Sequence, residues 1–99
     1  MSDIVCQFVT QAAIEILSAR TVVLFGSRAR GDARERSDYD FAIDPDPARS
    51  REWGRFADRV SEHAPTLLQI DLVNLMDDLD PGFRARIHQE GKVLRGKAP

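Results

Sequence analysis

The sequence is poor in cysteine, histidine, lysine and long apolar runs, and each shortage removes a class of function. It has one cysteine, Cys6, so no internal disulfide and no cysteine-based zinc site can form. Cys6 falls among the apolar residues of a helical stripe, where a buried small hydrophobe is expected. The two histidines, His63 and His88, have no Cys, His or acid at metal-ligand spacing and are read as structural or solvent-facing. No apolar run reaches the ~18 residues that a membrane span requires. The first residues also lack the basic region and apolar stretch of a leader. No membrane contact is expected, and the cytoplasm is the expected compartment. There is no excess of positive charge either: 14 Lys and Arg stand against 16 Asp and Glu, for a net charge of −2. Direct binding to duplex nucleic acid is therefore not expected. Of the 14 basic residues, 12 are arginine. Arginine suits bidentate grips on phosphate or carboxylate, although compositional bias accounts for most of these residues.

What remains is an ordinary globular composition, 42% hydrophobic and 30% charged over 99 residues. That length predicts one small domain over residues 1–99, burying ~65% of the surface its unfolded chain exposes. No internal repeat, low-complexity segment or linker interrupts it.

Along the chain, helical and extended patterns alternate. Apolar residues at 4, 5, 8, 9, 12, 13, 16 and 17 predict a helix over 2–19, with Ser2 as its N-cap. Residues 21–25 form a compact β-branched and aromatic run, read as a buried strand. Gly26 breaks it, residues 27–30 form a helical turn, and Gly31 ends that turn. A charged loop follows over 32–37. A second strand is expected over 38–43, then the breakers Asp44, Pro45, Asp46 and Pro47, with Asp46 capping a helix and Pro47 at its first position. Trp53, Phe56, Ala57 and Val60 at i, i+3, i+4 and i+7 give that helix a core face, which favours packing over base stacking for Trp53 and Phe56. A third strand is expected over 67–74. Asp80 and Pro81 open a last helix carrying Phe83 and Ile87, and Gly91 ends it. A short tail follows, with a brief extended piece at Val93 and Leu94. The pattern predicts an α+β fold: a mixed sheet of three to four strands packed with three to four helices.

Three features of this pattern carry chemistry. The first strand runs through Gly26 and Ser27 into a helix start, whose unpaired N–H groups and dipole favour anions. Glycine lets a phosphate approach the backbone, Ser27 adds a hydroxyl, and Arg28 and Arg30 lie within reach of an anion bound there. By itself such a joint is usually a plain turn. The second strand opens with Asp38, Tyr39 and Asp40. In a strand, residues two apart point to one face, with Cα atoms roughly 7 Å apart. Two carboxylates side by side repel, and Asp is a poor strand former, so a pair inside the strand calls for a cation, while a pair standing alone reads more simply as a surface loop of acids before the strand. Mg²⁺ suits a pair inside the strand, with waters and substrate phosphates as its other ligands. Tyr39 faces the other way, into the core. Third, Asp71 interrupts Ile70, Leu72 and Val73; a buried lone carboxylate is costly unless paired or metal-bound, the plain alternative being an edge strand with its acid in water. A third strand could bring Asp71 beside Asp38 and Asp40, giving the carboxylates of a phosphoryl-transfer site. Asp77, Asp78 and Asp80 read as a solvated loop with a helix cap, although Asp78 and Asp80 remain rivals for the third carboxylate.

The stretch Gly26-Ser27-Arg28-Ala29-Arg30-Gly31 followed by Ser37-Asp38-Tyr39-Asp40 resembles the motif of the DNA polymerase β-like nucleotidyltransferase superfamily. Gly-Ser, ten residues, then Asp-x-Asp is its form in the minimal nucleotidyltransferases, or MNT proteins. The leading helix, the strand before Gly26, the strand through Asp71 and the closing Phe83, Ile87, Glu90 and Gly91 also look like that family. The resemblance implies that Gly26 and Ser27 hold the phosphates of a nucleoside triphosphate. It implies that Asp38 and Asp40 bind Mg²⁺, and that Asp71 completes the site and helps deprotonate the acceptor hydroxyl. It gives Arg30 a supporting role at the loop or the phosphates. It also implies a partner: a HEPN-domain ribonuclease toxin, with this protein as antitoxin transferring AMP from ATP to a toxin tyrosine. A chain this short leaves little room for an acceptor-binding domain, so the acceptor is expected on another molecule. Two other readings are a non-catalytic antitoxin that blocks its toxin by contact, and transfer to a small molecule. Base preference, the number of metals and the oligomeric state stay open at this level.

Overall fold

The structure, a computed structural model, describes residues 3–34 and 36–96. Ser2, expected to cap the first helix, lies outside these residues. The observed cap is Asp3, whose Oδ1 accepts from the N–H groups of Val5 (2.7 Å) and Cys6 (3.4 Å). Helix α1 (Ile4–Leu17) buries most of its apolar stripe, including Cys6, leaves Ile4 exposed, and ends at Ser18. Burial pushes the Cys6 thiol up to about 11, as befits an inert core cysteine.

Strand β1 (Thr21–Phe25) is buried along its whole length because both its faces are covered. Val22 and Leu24 join Phe41 and Ile43 in a core beneath α1, while Val23 and Phe25 join Ala42, Leu75 and Ile87 on the opposite face. That double cover is why the sequence shows a continuous apolar run rather than alternation. A four-residue helix α2 (Ser27–Arg30) follows, then strand β2 (Tyr39–Asp44), a 3₁₀ segment (Pro47–Glu52), α3 (Trp53–His63), β3 (Ile70–Asn74), α4 (Pro81–Glu90) and β4 (Lys92–Arg95). The sheet order is β3-β2-β1-β4; β1 is antiparallel to β2 and β4, and β2 is parallel to β3. Parallel neighbours need a crossover, which the 3₁₀ segment and α3 supply.

Several boundaries differ from the sequence reading for local reasons. Asp46 does cap and Pro47 does follow it, but they open the 3₁₀ turn and α3 begins only at Trp53. The third strand starts at Ile70, not 67. Thr66 Oγ1 takes the Leu68 N–H (3.1 Å) in a local turn, which leaves Leu67 exposed. Asp38 lies just before β2 rather than inside it. Gly91 ends α4 in an extended conformation (φ −70°, ψ 143°), not a left-handed cap. Glycine is required there for proximity: a Cβ would collide with the Ile87 carbonyl and the Val23 side chain. The brief extended piece at Val93 and Leu94 is a full edge strand paired with β1. Among the described residues, no helix is long and apolar enough to cross a membrane.

Tyr39 points into the α1-side core at 6% exposure, and its hydroxyl donates to Asp3 Oδ2 at 2.7 Å. Burial, then this bond and the Asp3 charge, push the phenol up to about 12. The fold favours the neutral phenol, so its contribution is intact below the free-phenol value near 10 and is lost as pH rises towards 12. Tyr39 is the only tyrosine in the sequence, so phenolate absorbance reports it alone. A folded-state midpoint well above that of the urea-unfolded chain is expected; coincident midpoints would contradict the buried bond.

Candidate functional site

One end of the sheet gathers the chemistry. The C-terminal end of β1 lies beside the N-terminal ends of β2 and β3, so Phe25, Asp40 and Asp71 stand in one row across three strands. Because Asp40 and Asp71 are in register on parallel neighbours, their side chains leave the same face of the sheet. The two carboxyls lie close enough to hydrogen-bond to each other. Burial first, then Asp71's charge and that bond, then Asp38's charge, raise the Asp40 carboxyl above its ordinary value, against an opposing pull from Arg30. Gln69 Nε2 donates to Asp71 Oδ1 at 2.7 Å and orients the acid further.

Gly26 closes the row. Its backbone (φ 75°, ψ −159°) lies in a region open essentially to glycine alone. A Cβ there would also run into the Asp40 carboxylate. The Gly26 carbonyl accepts from the N–H groups of Ala29 and Arg30, both at 3.1 Å, which sets the turn of α2. An open cleft of about 400 Å³ results. Gly26, Ser27 and Arg30 line it from α2 and its entry, Asp38 from just before β2, Asp40 from β2, and Phe83 and Arg86 from α4.

The sequence-predicted residues divide accordingly. Gly26, Ser27, Arg30, Asp38 and Asp40 share the cleft, and Asp71 adjoins it through Asp40. Asp80 is occupied elsewhere: its Oδ2 caps α4 by accepting from the Phe83 N–H at 3.1 Å. Arg28 does not line the cleft. Its guanidinium donates to the Ser37 carbonyl and lies over the Tyr39 ring, on the face of the sheet that carries α1. Arg30 is tied by Nη1 to Glu90 (2.6 Å) and by Nε to Asp32 (3.3 Å), which braces α2 against the end of α4. Arg86 was not anticipated. The spacing of Phe83, Arg86 and Glu90 on one face of α4 was the available signal, and reading Phe83 and Ile87 only as core hid it. Among the described residues Arg86 has no hydrogen-bond or ion-pair partner.

Among the described residues, no three His, Cys, Asp or Glu side chains are arranged to hold an ion by themselves. That does not conflict with a Mg²⁺ site, because Mg²⁺ is usually held by one or two carboxylates, with waters and substrate phosphates completing its octahedron. The hard oxygen donors of Asp38 and Asp40 fit that ion. So does the raised Asp40 carboxyl: besides burial, the neighbouring Asp71 and Asp38 charges raise it, and a cation would relieve that repulsion.

Comparison with known proteins places this arrangement. Residues 10–99 match the sequence profile of the family described as "Polymerase beta, Nucleotidyltransferase". No curated protein sequence matches. Among solved structures, a toxin–antitoxin with AMP-PNP superposes with a TM-score of 0.66 at 20% identity, covering 93% of this chain and 73% of that one. A substituted form of the toxin–antitoxin MntA-HpeT gives 0.69 at 22% identity, covering 92% of this chain and 72% of that one. A structure from Shewanella oneidensis gives 0.69 at 16% identity, covering 98% of this chain and 74% of that one. At these identities the likeness is one of fold.

Proposed function

The chain belongs to the polymerase β nucleotidyltransferase family, and from that premise we propose that it is the antitoxin of a toxin–antitoxin pair, transferring AMP from ATP to a tyrosine hydroxyl of a HEPN-domain toxin. The observation that carries the metal-dependent part is the row Gly26, Asp40 and Asp71 beside Asp38. Glycine admits a phosphate where any side chain would strike an acid, and the acids supply the donors a divalent cation needs. The partner rests on fold likeness to structures described as toxin–antitoxin pairs, one of them with AMP-PNP.

Asp38 and Asp40 would hold Mg²⁺, with Asp71 beside them, and the ion when bound would neutralise the triphosphate and the leaving pyrophosphate. The remaining roles fall to the chain. Gly26 and Ser27 receive the β- and γ-phosphates. Arg86, without a partner among the described residues, and Arg30, braced by Glu90, supply positive charge to the same oxygens. Asp71, oriented by Gln69, takes the proton of the acceptor hydroxyl. The acceptor oxygen then bonds to the α-phosphorus, the bond from that phosphorus to the bridging oxygen breaks, and pyrophosphate leaves.

The test is incubation with Mg²⁺, ATP labelled at the α-phosphate, and the toxin encoded beside this protein. Label on a toxin tyrosine is expected. An unlabelled toxin under conditions where the nucleotide binds would overturn the assignment of the acceptor.

A further inference from the structure

Arg28 stands outside the cleft but touches both neighbours of a residue inside it. Asp38 lies between Ser37 and Tyr39. The Ser37 carbonyl accepts two hydrogen bonds from the Arg28 guanidinium, from Nε at 3.0 Å and from Nη2 at 2.8 Å. The same guanidinium lies 4.0 Å from the centre of the Tyr39 ring. Tyr39 is fixed in turn by its hydroxyl on Asp3 and by its backbone N–H on the Gln69 carbonyl (3.0 Å).

The segment leading to Asp38 meets α2 at its start, where the Asp32 N–H bonds to the Ser27 carbonyl (3.2 Å), and then turns on itself: Arg34 N–H meets Ser37 Oγ (2.8 Å) and Ser37 N–H meets the Arg34 carbonyl (3.0 Å). The Arg34–Ser37 bonds shape the loop without fastening its Asp38 end to α2. Among the described residues, Arg28 supplies that fastening, from the first turn after Gly26 and Ser27.

We propose that Arg28 is a positioning residue that fixes Asp38 relative to Ser27, so that the metal-binding and phosphate-binding halves of the cleft keep one spacing. The proposal rests on the nucleotidyltransferase reading above. It requires the planar fork and not merely the charge. A lysine ammonium can satisfy one direction of the Ser37 carbonyl but cannot both straddle it and stack on the ring.

The experiment compares Arg28→Lys and Arg28→Met with wild type and with Arg84→Met. Arg84 is a fitting control because it also clamps backbone carbonyls, those of Leu75 (3.0 Å) and Asp77 (3.2 Å), but at the far end of β3. Mn²⁺ affinity by electron paramagnetic resonance, the Mg²⁺ dependence of Mg·ATP turnover, and thermal midpoints are recorded for each. Both Arg28 variants are expected to bind Mn²⁺ about 10-fold more weakly, the usual scale for losing a group that supports a metal ligand. Their Mg²⁺ requirement should rise and kcat should fall. Arg84→Met is expected to lower only the thermal midpoint. Arg28→Lys keeps the bulk and charge of the side chain, so it remains informative if Arg28→Met does not fold. Wild-type Mn²⁺ affinity in a folded Arg28→Met, or full rescue by Arg28→Lys, would overturn the proposal. Failure of the wild type itself to bind Mn²⁺ would overturn the metal reading of the cleft, and the proposal with it.

Discussion

Replacing Asp38 and Asp40 together with alanine should abolish nucleotide transfer and leave the protein folded. A metal clamp on a transferring phosphoryl group is worth several kcal/mol at the transition state, so the rate should fall at least ~1000-fold. The fold should survive for a reason visible in the electrostatics. Asp40's carboxyl is raised by burial and by Asp71 and Asp38. A raised carboxyl means the folded state favours the protonated form. Ionised Asp40 therefore opposes folding at neutral pH, and metal-free stability should increase as pH falls through its folded value. Removing the charge removes that opposition, so the metal-free double variant should melt no lower than wild type. Mg²⁺ should raise the wild-type midpoint and leave the variant unmoved. Melting curves with and without Mg²⁺, alongside the rate, check both halves. A variant that is inactive because it is unfolded would contradict this account.

Gly26→Ala should damage the site from the opposite direction, by adding one carbon. The backbone at φ 75° and ψ −159° costs a non-glycine residue about 1–3 kcal/mol. The new Cβ also meets the Asp40 carboxylate, so either β2 or the turn must shift. In a domain of this size each kcal/mol lowers the thermal midpoint by ~4–8 °C. The rate should fall further than stability alone explains, by ~100-fold or more, because displacement of reacting groups by about 1 Å has that effect. Gly54→Ala is the matched control. Gly54 lies within α3, and a Cβ there meets nothing within 4 Å. Alanine favours helix by up to ~1 kcal/mol over glycine, so this variant should be neutral or stabilised and fully active. Equal activity of the two glycine variants would show that the Gly26 contact with Asp40 has no bearing on function.

Much of this site was legible because its parts lie on regular elements with strong patterns. The run from Thr21 to Phe25 ends at a glycine, the two acids alternate with a core tyrosine, and Asp71 interrupts an apolar strand. Strand pairing then does what sequence cannot specify: it puts Asp40 and Asp71 in register and leaves Asp80 as a helix cap. The illegible part belongs to side-chain direction. Arg28 and Arg30 are two apart on one helical turn and therefore point to different sides, so one clamps the loop while the other enters the cleft. Nothing in local sequence distinguishes which does which. Arg86 was hidden for a related reason, since its role depends on how α4 packs against Phe25 through Phe83 (ring centroids 5.8 Å apart). The fold class and element order followed from periodicity, while Asp3, Ile70 and Gly91 show that element ends depend on single hydrogen bonds and close contacts.

The central claim is that this cleft is a divalent-metal-dependent nucleoside triphosphate site. Its most direct test is a calorimetric titration of the wild-type protein with ATP, in Mg²⁺ and again with the metal chelated. Binding in Mg²⁺ that is lost on chelation, and lost in Mg²⁺ when Asp38 and Asp40 are both alanine, is the predicted result. Equal affinity with and without the metal, or undiminished binding by the double variant, would contradict it.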